Sequence, residues 1–135
     1  MTTERIHIIA DSTSDIPPEL LPNLPITVVP TFVNYGGNSF PDDNVQLDRH
    51  GFYQQLPALR PFPTTAAASP GMVEDAIKAV ADQCDHIILL AQSTKLGSCY
   101  TQMRLAASTL PPDRYTLVDS QQIAMGFGWQ AIIGA

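Results

Sequence analysis

The stretch that decides the fold is RIHIIADSTSDIPPELL, Arg5 to Leu21. Its apolar run, Ile6–Ala10, is short and continuous rather than alternating, the pattern of a strand covered on both faces. It breaks into five polar residues, Asp11-Ser12-Thr13-Ser14-Asp15, before Pro17-Pro18. Such a loop is either a cap that turns the chain or a set of groups gathered at a strand's carboxyl end for chemistry.

The same order recurs. His86–Ala91 runs into Gln92–Ser98, and Tyr115–Val118 runs into Asp119–Gln122. A fourth apolar run, Ile26–Val33, completes the set of expected strands. Helical patterns lie between them. Ser69-Pro70 reads as an N-cap followed by proline at the first helical position, with Val73, Ala76, Ile77 and Val80 as the buried stripe. Tyr100, Met103, Ala107 and Leu110 recur at helical steps, and Leu47–Leu56 carries Phe52 and Leu56 on one face. Strands alternating with helices predict an α/β fold with a largely parallel β-sheet flanked by helices. The Pro-rich segments punctuate loops and do not mark a linker, so residues 1–135 form one domain.

Bulk properties narrow the function. The 135 residues are 44% hydrophobic and 15% charged, a globular composition. A net charge of -6 with seven scattered basic residues argues against a nucleic-acid partner and disfavours an anionic membrane surface. No run approaches the roughly 18 apolar residues of a membrane span. The start, MTTERIHII, lacks the features of a secretory signal, so cytoplasmic is the default location. Cys84 and Cys99 have no metal-ligand spacing and read as packing residues. The chain stops at Ala135 inside an apolar helical pattern without a cap, which predicts a longer parent protein; a complete small protein with an unusual end is the alternative.

No single motif is a self-sufficient active site. The glycine spacing of a phosphate or dinucleotide loop is absent, and Gly126-Phe127-Gly128 does not replace it. His7 and His86 fall in or beside strands and read as packed or edge residues. His50 has no evident partner, and Asp42-Asp43 reads as solvated rather than cation-binding. The segment PTTAAASPG, Pro63–Gly71, stands out: Ser69 is explained as a cap, but Thr65 is not.

Taken in order, ADSTSDIPPELL, ITVVPTFVNYGG, FPDD and a helix containing Phe52-Tyr53 resemble the amino-terminal domain of the DegV family. Its Thr-Ser-Gln-Pro-Ser segment corresponds to Thr65-Ala66-Ala67-Ala68-Ser69, with three alanines in the middle. Its Ser-Ser-x-Leu-Ser-Gly-Thr-Tyr segment corresponds to Ser93–Tyr100, with Thr94 for a serine and Gly97-Ser98 in reversed order. Asp119-Ser120 and the following Gly126 and Gly128 also match.

The resemblance implies a bacterial fatty-acid carrier, not an enzyme, that presents its bound lipid to a fatty acid kinase. It implies no cofactor other than a long-chain fatty acid as ligand, and no catalytic or metal-binding residue. Thr65, Ser93 and Thr94 would hydrogen-bond the carboxylate, with Asp11, Ser12, Thr13, Ser98, Asp119 and Ser120 in support. Phe32, Val33, Leu96, Ile123 and Phe127 would supply apolar wall, and Asp15 would cap the segment entering Ile16-Pro17. A carboxy-terminal domain, bearing a histidine near the carboxylate, would complete the pocket; alone, this half would bind weakly or self-associate. An enzyme acting on a phosphorylated or acidic small molecule at the strand ends is the alternative reading.

Overall fold

A computed structural model describes residues 3–135. The chain runs β1 (Ile6–Asp11), β2 (Ile26–Val29), β3 (Phe32–Tyr35), β4 (Asn38–Pro41), α1 (Arg49–Gln55), β5 (Thr64–Ala66), α2 (Pro70–Val80), β6 (His86–Ala91), α3 (Cys99–Ala107), β7 (Tyr115–Asp119) and α4 (Met125–Gly134). Short 3-10 turns at Ser12–Ser14 and Pro18–Asn23 lie between β1 and β2. Four strands form a parallel sheet in the order β2-β1-β6-β7, with Ile8 paired to both Ile26 and Ile88. This is the expected parallel α/β core.

The sheet is covered on both faces, which explains its unbroken apolar strands. On one face Ile9, Ile87 and Leu89 pack against Val73 and Ile77 of α2 and Met103 of α3. On the other, Ile8, Ala10, Ile26 and Leu90 pack against Phe127 and Ala131 of α4. Successive residues of β1 thus enter opposite cores, as the two-residue period of a strand requires. Ser69 caps α2 by accepting from the Met72 N–H at 3.3 Å, with Pro70 next in the chain.

Two expectations need correction. Ile26–Val33 is not one strand, because the chain leaves the parallel sheet at Pro30-Thr31. Proline has no N–H for a ladder, and the Thr31 N–H donates to Ser12 Oγ at 3.0 Å instead. The chain then enters a second, antiparallel sheet in the order β4-β3-β5. Gly36 and Gly37, both at positive φ, make the tight turn joining β3 to β4. The second correction is at β5, where the sequence reads as a loop. Three residues carry too little pattern to announce a strand; only pairing with β3, including Val33 opposite Thr65, makes it one.

The second α/β face depends on a close approach. A Cβ at Gly128 in α4 would lie 2.3 Å from the backbone oxygen of Ser14. Gly128→Ala therefore forces α4 away from the turn after β1 and should lower stability by about 1–3 kcal/mol in urea unfolding. An unchanged midpoint would show that α4 is free to shift.

Candidate functional site

Because β1, β2, β6 and β7 are parallel, their carboxyl ends share one edge, where Asp11 neighbours Val29 and Ala91 neighbours Asp119. The loops leaving that edge hold each other through side chains. Asp11 is 2% exposed, and its Oδ1 accepts from the Thr13 N–H at 3.0 Å and from the Thr13 hydroxyl. Its Oδ2 accepts from the Gln92 N–H at 3.1 Å, joining the ends of β1 and β6. Burial pushes the Asp11 carboxyl above the ordinary value, and these hydrogen bonds pull in the opposite direction. Ser12 Oγ lies 2.8 Å from Thr31 Oγ1, tying the same turn to the entrance of the second sheet. The Thr13 carbonyl accepts from the Ala124 N–H at 2.8 Å, which attaches the loop before α4.

These contacts frame a cleft of about 360 Å³. Thr13, Thr31, Thr65, Gln92 and Ser98 supply its polar lining, and Leu96 and Ile123 its apolar edge. The second sheet brings Thr65 here, which accounts for the threonine that helix capping leaves unexplained. Among the described residues, no Lys, Arg or His lines the cleft. Cys99 borders it, with a thiol pushed up to about 12 by burial and by the neighbouring Asp11 charge, so it stays protonated. Among the described residues, no group of three or more His, Cys, Asp or Glu is placed to hold a metal ion.

The site residues expected from sequence separate into two groups. Thr65, Thr13 and Ser98 line the cleft. Ser93 and Thr94 do not. Ser93 is 6% exposed, and its Oγ accepts from the Lys95 N–H at 3.3 Å. The Thr94 hydroxyl donates to Asp119 Oδ2 at 2.7 Å. Ser120 closes its own turn, with Oγ accepting from the Gln122 N–H at 3.2 Å. Phe127 is not wall but core, fully buried under α4. Asp15 does not cap the Ile16-Pro17 segment: it sits at φ 52 and pairs with Arg49 at 3.5 Å. Asp42 is not simply solvated, because Arg49 grips it through Nε at 2.7 Å and Nη2 at 2.9 Å.

Two lining residues escaped the sequence reading. Gln92 falls inside an expected loop, and its importance follows from its place as the first residue beyond β6. A Cβ at Gly97 would lie 2.4 Å from Gln92 Nε2, so the glycine lets the loop close over this side chain. Thr31 was hidden inside an apparent strand; the preceding proline was the available signal. The histidines lie elsewhere: His7 meets Thr27 at 2.8 Å, His86 meets Thr116 at 2.8 Å and His50 meets Gln54 at 2.9 Å.

Two measurements test this framework. Ser12→Ala strands the Thr31 N–H and should cost about 1–3 kcal/mol of stability in chemical unfolding; a neutral result would remove Ser12 from the frame. The Thr94 hydroxyl and the Gln121 N–H hold the Asp119 carboxyl below its ordinary value. The ionised form is thus favoured on folding, so its contribution is present above the ordinary carboxylate pKa and lost as pH falls through the depressed one. Thr94→Val should raise the Asp119 pKa in a carboxyl NMR titration, and an unmoved pKa would refute the pairing.

Comparison with known proteins places this geometry in a family. The family model described as "Uncharacterised protein, DegV family" matches residues 5–135. A DegV domain-containing protein of Deinococcus radiodurans is 32% identical over 130 residues, covering 96% of this chain and 46% of that protein. One from Caldanaerobacter subterraneus subsp. tengcongensis is 30% identical over 125 residues, covering 93% and 44%. The chain thus spans somewhat under half the length of these relatives. Among solved structures, a fatty-acid-binding DegV family protein from Thermus thermophilus superposes with a TM-score of 0.87 at 32% identity, over 96% of this chain and 45% of that one. A stearic-acid-binding protein from Eubacterium ventriosum, at 23% identity and TM-score 0.79, shares the fold over 92% of this chain and 44% of its own. From residue 5 to residue 135, this chain belongs to the DegV family.

Proposed function

We propose that this chain forms the head-group half of a fatty-acid carrier of the bacterial cytoplasm. The observation that carries the reading is the cleft at the strand ends, where Thr65 and Ser98 stand beside Thr13 and Gln92 with Leu96 and Ile123 at the edge. A fatty acid needs a few polar partners for one end and apolar surface for the rest. Hydroxyl groups can hydrogen-bond a carboxyl group in either protonation state. The 32% identity to the fatty-acid-binding protein of Thermus thermophilus supports the ligand class.

The packed core between α2, α3 and the sheet leaves no room for an acyl chain. Below the cleft, the space bordered by Ala68, Val73 and Met103 amounts to about 10 Å³, because α2 and α3 pack closely on the sheet. In this proposal the chain runs outward from the cleft into a following carboxy-terminal domain. With each buried methylene contributing about 0.8 kcal/mol, that second surface supplies most of the affinity, and the cleft supplies orientation. The carrier performs no chemistry itself and presents the held head group to a partner kinase. Ser93 and Thr94 act through the turn that positions Leu96 and Ser98, whereas Thr65 touches the ligand.

Mass spectrometry of organic extracts from the purified protein should find long-chain fatty acid, and its absence would sink the carrier reading. Thr65→Val keeps the β-branched shape of an exposed strand residue but removes its hydroxyl. It should weaken fatty-acid binding by about tenfold, the worth of one hydrogen bond, with little change in unfolding temperature. Undiminished binding would move the head group away from Thr65.

A further inference from the structure

The second sheet is packed as a unit apart from the two hydrophobic cores. Val29 and Ala68 belong to the core shared with α2 and α3, but among the described residues none from Pro30 to Ala66 joins either core. Leu47 is 3% exposed and still stands outside both. The segment has contacts of its own instead. Tyr35 of β3 meets Phe40 of β4 at 4.9 Å between ring centroids and Phe52 of α1 at 5.2 Å. These aromatic contacts join the hairpin to the helix. Arg49 and Asp42, paired at two points, add a polar tie inside the same lobe.

Where the lobe meets the parallel core, the seam carries two hollows. A cavity of about 150 Å³ lies between Asp42, Asn44 and Arg49 of the lobe and Ser14, Ile16 and Leu21 of the core. The cleft of about 360 Å³ lies between Thr65 and Ala66 on one side and Gln92, Leu96 and Ser98 on the other. The two spaces share no lining residue. Ser12 borders the first and Thr31 the second, and their 2.8 Å contact stands between them. A seam with voids lacks the dense contacts that hold two parts in a single arrangement.

The chain crosses this seam at Thr31 and again after Ala66, and Phe32 pairs with Ala66, so the crossings lie side by side. Two adjacent crossings leave the lobe free to tilt. The Arg49–Asp15 pair, at 3.5 Å, ties the lobe to the turn after β1 from the β4 side of the sheet, and β5 lies on the other side of β3. A tie there limits the tilt. With the two side chains 28% and 49% exposed, it is a weak one. Thr65 rides on β5, whereas Gln92 and Ser98 belong to the parallel core, so a tilt changes the width of the cleft.

We infer that residues 32–66 form a hinged lid over the cleft, pivoting at Thr31 and Ala67 and latched by Arg49–Asp15, and that a ligand held between Thr65 and the strand-end loops closes it. The hinge stands on the packing alone; its use, the admission of a fatty acid, rests on the carrier reading.

Amide hydrogen exchange followed by NMR tests it. The hydrogen-bonded amides of β3, β4 and β5 should exchange together through one opening, at least about tenfold faster than those of β1 and β6. Asp15→Asn removes the latch and keeps a residue suited to the positive φ at this position. It should speed exchange in the second sheet by about threefold, the worth of an exposed pair, and leave β1 and β6 unchanged. Sodium chloride at about 0.5 M should act likewise on the unaltered protein and have no effect on the variant. Saturating palmitic acid should slow the same amides. Protection of the second sheet equal to that of β1 overturns the inference, and so does bound palmitic acid that leaves the second sheet unchanged. If palmitic acid does not bind at all, the carrier reading fails, and the Asp15→Asn and salt effects decide the hinge by themselves.

Discussion

The buried carboxyl group of Asp11 is the constraint on which the rest of the site depends. It sits at the end of a central strand, almost without solvent, and its two oxygens accept from Thr13 and from Gln92. A carboxyl in that position must be hydrogen-bonded to be tolerated, and its partners are drawn from the loops that leave two neighbouring strands. Removing it from water thus fixes the spacing between the turn after β1 and the loop after β6. The cleft is the gap left between those loops. Within it, Thr13 turns its hydroxyl proton towards the carboxyl rather than towards a ligand.

The second sheet is the other half of the design. Parallel strands with short polar loops make an edge, not an enclosure, and a site at such an edge needs a wall. Here the chain leaves the parallel sheet at Pro30, turns back through Gly36-Gly37, and returns after α1 as β5 to place Thr65 against the loops. The Ser12–Thr31 contact marks where the two sheets are tied. Arg49, at the start of α1, fastens the intervening loop by pairing with Asp42 and Asp15. Part-burial and two-point geometry make that grip stronger than a typical surface ion pair. Both ties lie at the end of the second sheet nearest the parallel strands, where Phe32 pairs with Pro41.

The four parallel strands, α2 and its cap, α3, and the apolar character of α4 were legible because each element carries enough residues to show its period. The loops at the strand ends were legible as a group, since hydroxyls and carboxylates cluster after each apolar run. The individual roles were not. Ser93, Thr94, Asp11 and Asp119 look alike in sequence, all polar residues just beyond strands. Only distances show that Thr94 is turned to Asp119 while Thr65, from a segment with no strand pattern, faces the opening. Phe127 shows the same limit in reverse: an aromatic in a small-residue helix fits a lipid wall or a core, and the packing of α4 on β1 decides for the core.

What the amino-acid sequence determines by itself is local and periodic. It specifies which runs are strands buried on both faces, where proline and serine start a helix, and that the balance of charge is acidic. These depend on contacts within a few residues or on burial averaged over a run. What the tertiary structure alone decided is which polar groups share a space and which way their protons point. The Asp11–Gln92 and Thr94–Asp119 bonds span 81 and 25 positions, and the β3–β5 pairing has no local signature. A hydroxyl becomes a donor or an acceptor towards a ligand only once its other partner is known, and that partner is set by the fold.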